Sequence, residues 1–222
     1  MKIVASWSSG KDSAWMLHVL RAAYPGAVRG MLTTLNAVFD RVAMHGVRRE
    51  VLEAQAHAAE LPLHTVALPW PCSNEEYERR MATATAALAA GGVTHVAFGD
   101  LFLEDVRRYR EERLAGTGLT PLFPLWKTAP TSALARQMVA GGLKAYLSTV
   151  DPRALDPSFA GRAFDDALLE ALPPGVDPCG EQGEFHTCVW DGPMFAHPVR
   201  VAVGEVVTRD GFAFADISLD RE

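Results

Sequence analysis

Short apolar runs alternate with longer helical patterns through the first 120 residues, and this alternation is the strongest constraint on the fold. Residues 2–8 read KIVASWS, which is typical of a buried strand, and residues 12–23 read DSAWMLHVLRAA, which has the spacing of a helix. The same pair of patterns recurs three more times before residue 120. An α/β fold with a doubly wound, mostly parallel sheet is therefore predicted, with ligands at the carboxyl ends of the strands.

The pattern changes after about residue 120. TPLFPLW, at residues 120–126, carries too many prolines for a central strand. Residues 151–188 are rich in Pro, Gly and Asp, and two strand patterns, RVAVGEVV and GFAFADISL, follow them. The sequence thus predicts a first domain over residues 1–120 and a smaller, loop-rich C-terminal lobe over residues 121–222.

Composition excludes several classes of protein. None of the apolar runs approaches the length that a bilayer requires, and the N-terminal residues lack the pattern of a secretory signal, so we expect a cytoplasmic protein without a membrane partner. The net charge of -6 makes nucleic acid an unlikely partner, since coating it requires clustered Lys and Arg. Cys72, Cys179 and Cys188 form no CxxC pair, which predicts reduced thiols. The oligomeric state stays open, and a homodimer is compatible with the sequence.

The segment SWSSGKDS, residues 6–13, joins the first predicted strand to the first helix. It is not a Walker A loop, because Asp12 follows Gly10-Lys11 and Ala5 stands where that motif has its first glycine. A helix N-terminus still attracts anions through its free amides and its dipole. The hydroxyls of Ser6, Ser8, Ser9 and Ser13 add donors, and Lys11 adds a positive charge.

Two further segments carry groups suited to chemistry. Gly99-Asp100 ends a predicted strand, where Asp100 could hold magnesium or orient a substrate amine. The arginines of the next helix, including Arg108 and Arg110, are typical of a solvated helix face. In the run GEQGEFHT, residues 180–187, Glu181, Glu184 and His186 could bind a metal, orient an amine or provide general acid-base catalysis.

These three segments, taken in order, carry a resemblance to a known family. SSGKDS at residues 8–13 resembles the SGGxDS loop of the N-type ATP pyrophosphatases, which split ATP between its α and β phosphates. With Gly99-Asp100, PLW at residues 124–126 and GEQGEF at residues 180–185, the chain resembles the diphthine–ammonia ligase family, also called the diphthamide synthase domain. The resemblance spans essentially the whole chain and implies an adenine nucleotide alpha hydrolase-like fold of the HUP type.

The resemblance also implies a reaction and its cofactors, ATP and Mg²⁺. A substrate carboxylate would be adenylated with release of pyrophosphate, and ammonia or an amine would then displace AMP. The residues that this implies for catalysis are Lys11, Asp12, Asp100, Glu181, Glu184 and His186, with Asp100 as the metal ligand. Those implied for binding the nucleotide are Ser6, Ser8, Ser9, Gly10, Lys11, Asp12, Ser13, Thr34, His45 and Gly99.

The chain departs from the family pattern at two positions. Ser9 stands where many members have the first of two glycines; if that position requires a positive φ, the loop is strained, and otherwise its backbone is ordinary. His186 stands where diphthine ligases typically have an acid, and the His-Thr form resembles that of bacterial relatives, which predicts a different substrate. Two alternatives stay open: an ATP-binding regulatory protein with reduced catalysis, and an RNA-modifying enzyme with the same loop.

Overall fold

A mostly parallel sheet forms the first part of the structure, a computed structural model that describes residues 1–220. Its strands are β1 (Ile3–Ser6), β2 (Val28–Asn36), β3 (Arg41–Val42), β4 (Leu63–Leu68), β5 (His95–Ala97) and β6 (Thr120–Leu122). The helices between them are α1 (Lys11–Ala23), α2 (Arg49–Ala58), α3 (Asn74–Ala90) and α4 (Glu104–Leu114). The predicted β-α alternation is therefore confirmed. Within residues 1–220, no helix combines the length and the apolar character needed to cross a membrane.

Strand β1 lies between β2 and β5 and runs parallel to both. The chain first moves outward from β1 to β2 and β4, and then returns to the other side of β1 to form β5 and β6. A reversal of this kind opens a crevice at the carboxyl ends of the two central strands. The loops that follow Ser6 and Ala97 both begin at this crevice, which is where the sequence predicts the ligand.

Two details of this sheet refine the prediction. The short strand β3 pairs antiparallel with the end of β2, where Leu35 lies opposite Val42, and a two-residue strand leaves no periodic signal in a sequence. Strand β6 contains Pro121 and lies at the sheet edge, as the proline argument allows. The first sheet thus ends at Leu122, two residues beyond the predicted boundary.

A second, antiparallel sheet organises the C-terminal part. Its strands, in spatial order, are β8 (Phe185–Asp191), β7 (Lys144–Val150), β10 (Phe212–Leu219) and β9 (Val201–Arg209). Helices α5 (Thr131–Ala140) and α6 (Asp166–Ala171) accompany it. The sequence predicts β9 and β10 but not β8, because the glycines and polar residues around residues 180–192 are typical of a loop.

The two sheets share one apolar core, and a buried polar side chain joins them beside the crevice. Gln55 of α2 is fully buried, and its Nε2 donates to the carbonyl oxygens of Ser9 (3.2 Å) and Val189 (2.6 Å). The indole N–H of Trp7 donates to Gln55 Oε1 (3.0 Å), and the Val189 amide donates to Ser9 O (2.9 Å). Strand β8 is therefore fixed against the loop over residues 6–13.

Candidate active site

The loop over residues 6–13 is organised by its own hydroxyls, and its N-cap residue Gly10 offers no side chain to cap α1. Ser13 Oγ donates to Gly10 O (2.9 Å), and the Ser8 amide donates to Ser13 Oγ (3.3 Å). The Lys11 amide donates to Oγ1 of Thr187 on β8 (2.9 Å), while Gly10 has no side-chain bond at the N-cap. Uncapped amides at a helix N-terminus suit an anion.

Ser9 has a φ of +68°, in the left-handed region that favours glycine. Of the two alternatives left by the sequence, the strained loop is therefore the one observed. Its hydroxyl is buried without a hydrogen-bond partner, whereas its carbonyl accepts the bonds from Gln55 and Val189. These contacts hold the residue in a conformation that its side chain disfavours.

Lys11 is a buried cation, with 2% of its surface exposed. Its Nζ donates to Asp12 Oδ2 (2.8 Å) and lies 5.5 Å from the centre of the Phe185 ring and 5.9 Å from that of Phe164. Burial is the largest single influence and lowers the pKa of Lys11, but the acidic groups around it, Asp12 foremost, together raise it above the ordinary value. The loop therefore presents a permanent positive charge.

Two carboxylates at the crevice have an oxygen without a partner. Asp12 Oδ1 and Asp100 Oδ2 are buried and accept no hydrogen bond, and burial raises the pKa of both groups. A Cβ on Gly99 would lie 2.9 Å from the backbone of Asp12, so only glycine lets the end of β5 approach α1 this closely. Buried, unpartnered carboxylate oxygens are ligands that a hard cation prefers.

The donor set fits a cation that is shared with another ligand. Among residues 1–220, no group of three or more His, Cys, Asp or Glu side chains could hold a metal ion by itself. Mg²⁺ typically takes one or two carboxylates and completes its shell with water and phosphate oxygens. Asp12 and Asp100 match that requirement.

Glu181 lies at the same crevice. Its Oε1 accepts hydrogen bonds from the amides of Leu101 (2.9 Å) and Phe102 (3.4 Å). Burial nevertheless raises its pKa to about 7, because these bonds compensate only part of the lost hydration. A carboxyl group that titrates near neutral pH is suited to transfer protons.

Glu184 has a different environment from the one that the sequence predicts. It is 6% exposed, and its two oxygens accept the amides of Asp177 (2.9 Å) and Gln182 (3.0 Å). Its carboxylate thus holds the loop over residues 177–184 and lies outside the crevice that contains Glu181. The structure does not bring Glu184 together with the other predicted catalytic residues.

The rings of His45 and His186 contact each other in the crevice, with centroids 4.5 Å apart and planes tilted by 33°. Burial lowers the pKa of His186 to about 4, with a smaller contribution from Lys11, and it lowers the pKa of His45 as well. Both rings are therefore neutral at physiological pH. His45 Nδ1 lies 3.3 Å from Thr187 O, which places its proton on Nδ1.

Two adjoining cavities occupy the crevice. The smaller, of about 240 Å³, lies between the loop, the end of β5 and the segment over residues 180–187. The larger, of about 700 Å³, extends past Thr34 toward α3 and α4. The residues that line both are Ser6, Ser8, His45, Phe98, Arg110 and His186. These shared walls make the two cavities one continuous site.

Most of the predicted site residues meet at these cavities. Those lining the smaller cavity are Ser6, Ser8, Lys11, Asp12, Ser13, His45, Gly99, Asp100, Glu181 and His186, and Thr34 lines the larger one. Ser9, Gly10 and Glu184 line neither of the two. Gly10 instead makes room for His45, whose Cε1 would lie 2.7 Å from an added Cβ.

Sequence reasoning missed two residues of the site. Thr187 was visible as a hydroxyl beside His186, but its bond to the Lys11 amide joins residues 176 positions apart. Arg110 belongs to the helix face that the sequence predicts to be solvated, whereas the structure places it in the wall of both cavities. Its helical position alone gives no signal that separates it from Arg108.

Known proteins resemble the chain along its whole length. The family model of the diphthamide synthase C-terminal domain matches residues 130–219. The diphthine–ammonia ligases of Bos taurus and Homo sapiens are 28% and 27% identical to it over 240 residues, which cover 98% of this chain and 89% of each relative. The diphthine–ammonia ligase of Danio rerio is 27% identical over 242 residues, which cover 100% of this chain and 94% of the relative.

Proposed function

We propose that the chain joins ammonia or an amine to a carboxylate that it first activates with ATP, a reaction supported by its similarity to the diphthine–ammonia ligases and to the diphthamide synthase C-terminal domain. In the first step, a carboxylate oxygen bonds to the α-phosphorus and the bond to the β-phosphate bridge breaks. Pyrophosphate leaves with the electron pair. In the second step, the nitrogen attacks the acyl carbon, loses a proton, and expels AMP.

The observation that carries this proposal is the pair of buried, unpartnered oxygens of Asp12 and Asp100 beside the charged Lys11. This combination, at a helix N-terminus, suits a polyphosphate together with its cation. In the proposed complex, Asp12 and Asp100 hold Mg²⁺, which neutralises phosphate charge when bound. A structural role alone would satisfy these oxygens with hydrogen bonds, whereas Asp12 Oδ1 accepts none and Asp100 Oδ2 has only a 3.7 Å ion pair with Arg110.

The two cavities divide the nucleotide between them in this proposal. The smaller receives the pyrophosphate, where Lys11, the hydroxyl of Ser8 and the positive end of the α1 dipole stabilise its charge. The larger receives the nucleoside, with Thr34 and His45 in its wall. Ser9 and Gly10 act through the shape of the loop.

Protons in the second step are handled by Glu181. Its pKa of about 7 means that the carboxylate form is available at neutral pH to accept the proton that the attacking nitrogen loses. His186 lines both cavities as a neutral ring and orients the acceptor. Glu184 supports this arrangement by holding the loop that carries Glu181.

The substrate named for the relatives does not transfer directly. Diphthine ligases typically have an acid at the position of His186, so the charge beside the acceptor differs and we propose a different carboxylate. An RNA substrate is poorly supported by the net charge of -6. A purely regulatory ATP-binding protein would share the cation site but would not need a Glu181 whose pKa is about 7.

Phosphorus NMR tests the proposal. The purified protein is incubated with ATP, Mg²⁺ and ammonium, with and without a small-molecule extract of its source cell. AMP and pyrophosphate are expected only with the extract, and Lys11→Ala and Asp12→Ala should abolish both. Lys127→Ala, which removes an exposed lysine paired with Glu104, serves as the matched control. ADP and phosphate as products, or full activity of both loop variants, would contradict the proposal.

A further inference from the structure

Arg110 is the one side chain with a permanent positive charge among the six residues that line both cavities. We propose that its guanidinium binds the α-phosphate of the nucleotide and stabilises the charge on it while pyrophosphate leaves. This inference rests on the proposed function, because it uses the same two cavities for the nucleotide. Arg110 would therefore contact the phosphate that reacts, although its sequence context indicates a solvated helix face.

Arg110 lies where the two cavities join. If pyrophosphate occupies the smaller cavity and the nucleoside the larger, the phosphate that connects them lies where the cavities join. That junction is formed by the shared wall, to which α4 contributes Arg110. Lys11 lines the smaller cavity only, and its ammonium is engaged by Asp12 at 2.8 Å. The junction therefore depends on Arg110 for a cation.

Arg110 also has a donor nitrogen that makes no hydrogen bond. Its Nε is buried without a hydrogen-bond partner, because Asp100 Oδ2, with which it forms an ion pair, lies 3.7 Å away and is too distant for a hydrogen bond. Arg113, one turn further along the helix, instead donates to Glu78 at 3.0 Å. A buried guanidinium nitrogen without a partner is costly unless a ligand completes it.

The orientation of Arg110 is fixed before any ligand arrives. Its guanidinium carbon lies 4.9 Å from the centre of the Phe98 ring, so that the planar group packs on an aromatic face that also lines both cavities. A planar, preoriented guanidinium can donate two parallel N–H bonds to a phosphate. As the oxygen bridge to the β-phosphate breaks, these donors stabilise the charge on the α-phosphate oxygens.

Calorimetric titration with AMP, adenosine and Mg²⁺-pyrophosphate tests this assignment without the unidentified acid. AMP and adenosine differ by the α-phosphate alone. Arg110→Gln is expected to weaken AMP binding at least about 10-fold, the loss typical of one charge-assisted hydrogen bond, and to leave adenosine and pyrophosphate binding unchanged. Arg110→Lys should restore part of the AMP affinity. Arg108→Gln, an exposed arginine of the same helix paired with Asp105, is the matched control and should bind all three as the wild type does.

Each other outcome overturns the inference. Equal losses for AMP and adenosine would assign Arg110 a structural role, and a loss for pyrophosphate alone would place it in the pyrophosphate site. Unchanged AMP binding would leave it no nucleotide contact. If the wild-type protein binds AMP no more tightly than adenosine, the inference fails together with the proposed function. If the wild-type protein binds AMP more tightly than adenosine and Arg110→Gln does so equally, the inference fails and the proposed function stands.

Discussion

The loop over residues 6–13 and the loop over residues 177–184 meet at one crevice, but they use their acidic side chains in opposite ways. In the first loop, Asp12 keeps a buried oxygen without a partner. In the second, both oxygens of Glu184 accept backbone amides, and Asp177 accepts the Cys179 amide and the Thr131 hydroxyl. A carboxylate whose two oxygens both accept hydrogen bonds stabilises the loop, whereas one with an oxygen that accepts none remains available for a ligand.

Glu181 differs from the other acidic residues of the second loop. It belongs to this loop, yet its hydrogen bonds come from the Leu101 and Phe102 amides across the crevice, and its pKa is about 7. It lies three positions before Glu184 in the sequence. The two amides that bond Glu181 both reach Oε1, whereas those that bond Glu184 are divided between Oε1 and Oε2, so the distribution of hydrogen bonds distinguishes two groups that residue type does not.

Asp100→Asn should have the largest effect, because it removes the negative charge from an unpartnered oxygen of the proposed cation site. We expect the rate of AMP formation to fall about 10²- to 10³-fold, and the Mg²⁺ concentration for half-maximal rate to rise. Kinetics at several Mg²⁺ concentrations measure both. Asp105→Asn makes the same chemical change on an exposed carboxylate and should match the wild type. An unchanged Mg²⁺ dependence in Asp100→Asn would remove Asp100 from the cation site.

Glu181→Gln tests the exception in the second loop. Wild-type turnover should increase as the pH rises through about 7, because the carboxylate form accepts the proton. Measured at a constant concentration of free ammonia, the variant should be about 100-fold slower and lack this increase. Glu170→Gln, an exposed change on α6, is the control. A pH profile that Glu181→Gln leaves intact would assign the proton transfer to another group.

The same substitution has a consequence for stability with a defined sign. The folded-state pKa of Glu181, about 7, lies above its ordinary value of 4.5, so the folded protein binds more protons between these values. Glu181 therefore makes the free energy of unfolding decrease as the pH rises through that window. Glu181→Gln should remove this contribution, which urea titrations at pH 4.5 and 7 can measure against Glu170→Gln.

Glu184→Ala should affect folding more than chemistry. It leaves the amides of Asp177 and Gln182 without their acceptor, which we expect to lower the free energy of unfolding by roughly 2 to 3 kcal/mol. Urea denaturation gives this value, and Glu184→Gln, which retains one acceptor oxygen, should lose less. A Glu184→Ala protein of wild-type stability without ligase activity would return Glu184 to the catalytic group.

Ser9→Gly should give the smallest effect, and a stabilising one. Glycine adopts a φ of +68° without the steric cost that serine has, and the change also removes a buried hydroxyl that has no partner. We expect a gain of about 1 kcal/mol, or a rise in Tm of about 2 to 4 °C for a chain of this length. Ser9→Ala removes the hydroxyl but retains the strain, so the difference between the variants isolates the backbone. No difference between them would mean that the φ costs nothing here.

The sequence by itself determined the parallel sheet, the position of the crevice and most of the groups around it. These features have short-range signals: apolar periodicity over a strand or helix, a Ser- and Gly-rich turn before α1, and Gly99-Asp100 at a strand end. Strand ends of a parallel sheet converge at one edge, so local patterns are enough to bring Lys11, Asp12 and Asp100 together.

Only the tertiary structure decided how β8 and α4 complete the site. Strand β8 is held by the bonds of Thr187 and Val189 to the loop over residues 6–13, more than 170 positions earlier in the chain, and its own glycine-flanked sequence predicts a loop. Whether Glu184 or Glu181 faces the crevice, and whether Arg110 or Arg108 does, depends on which neighbours desolvate each side chain. Periodicity does not carry that information, because burial and hydrogen-bond partners arise from contacts between distant segments.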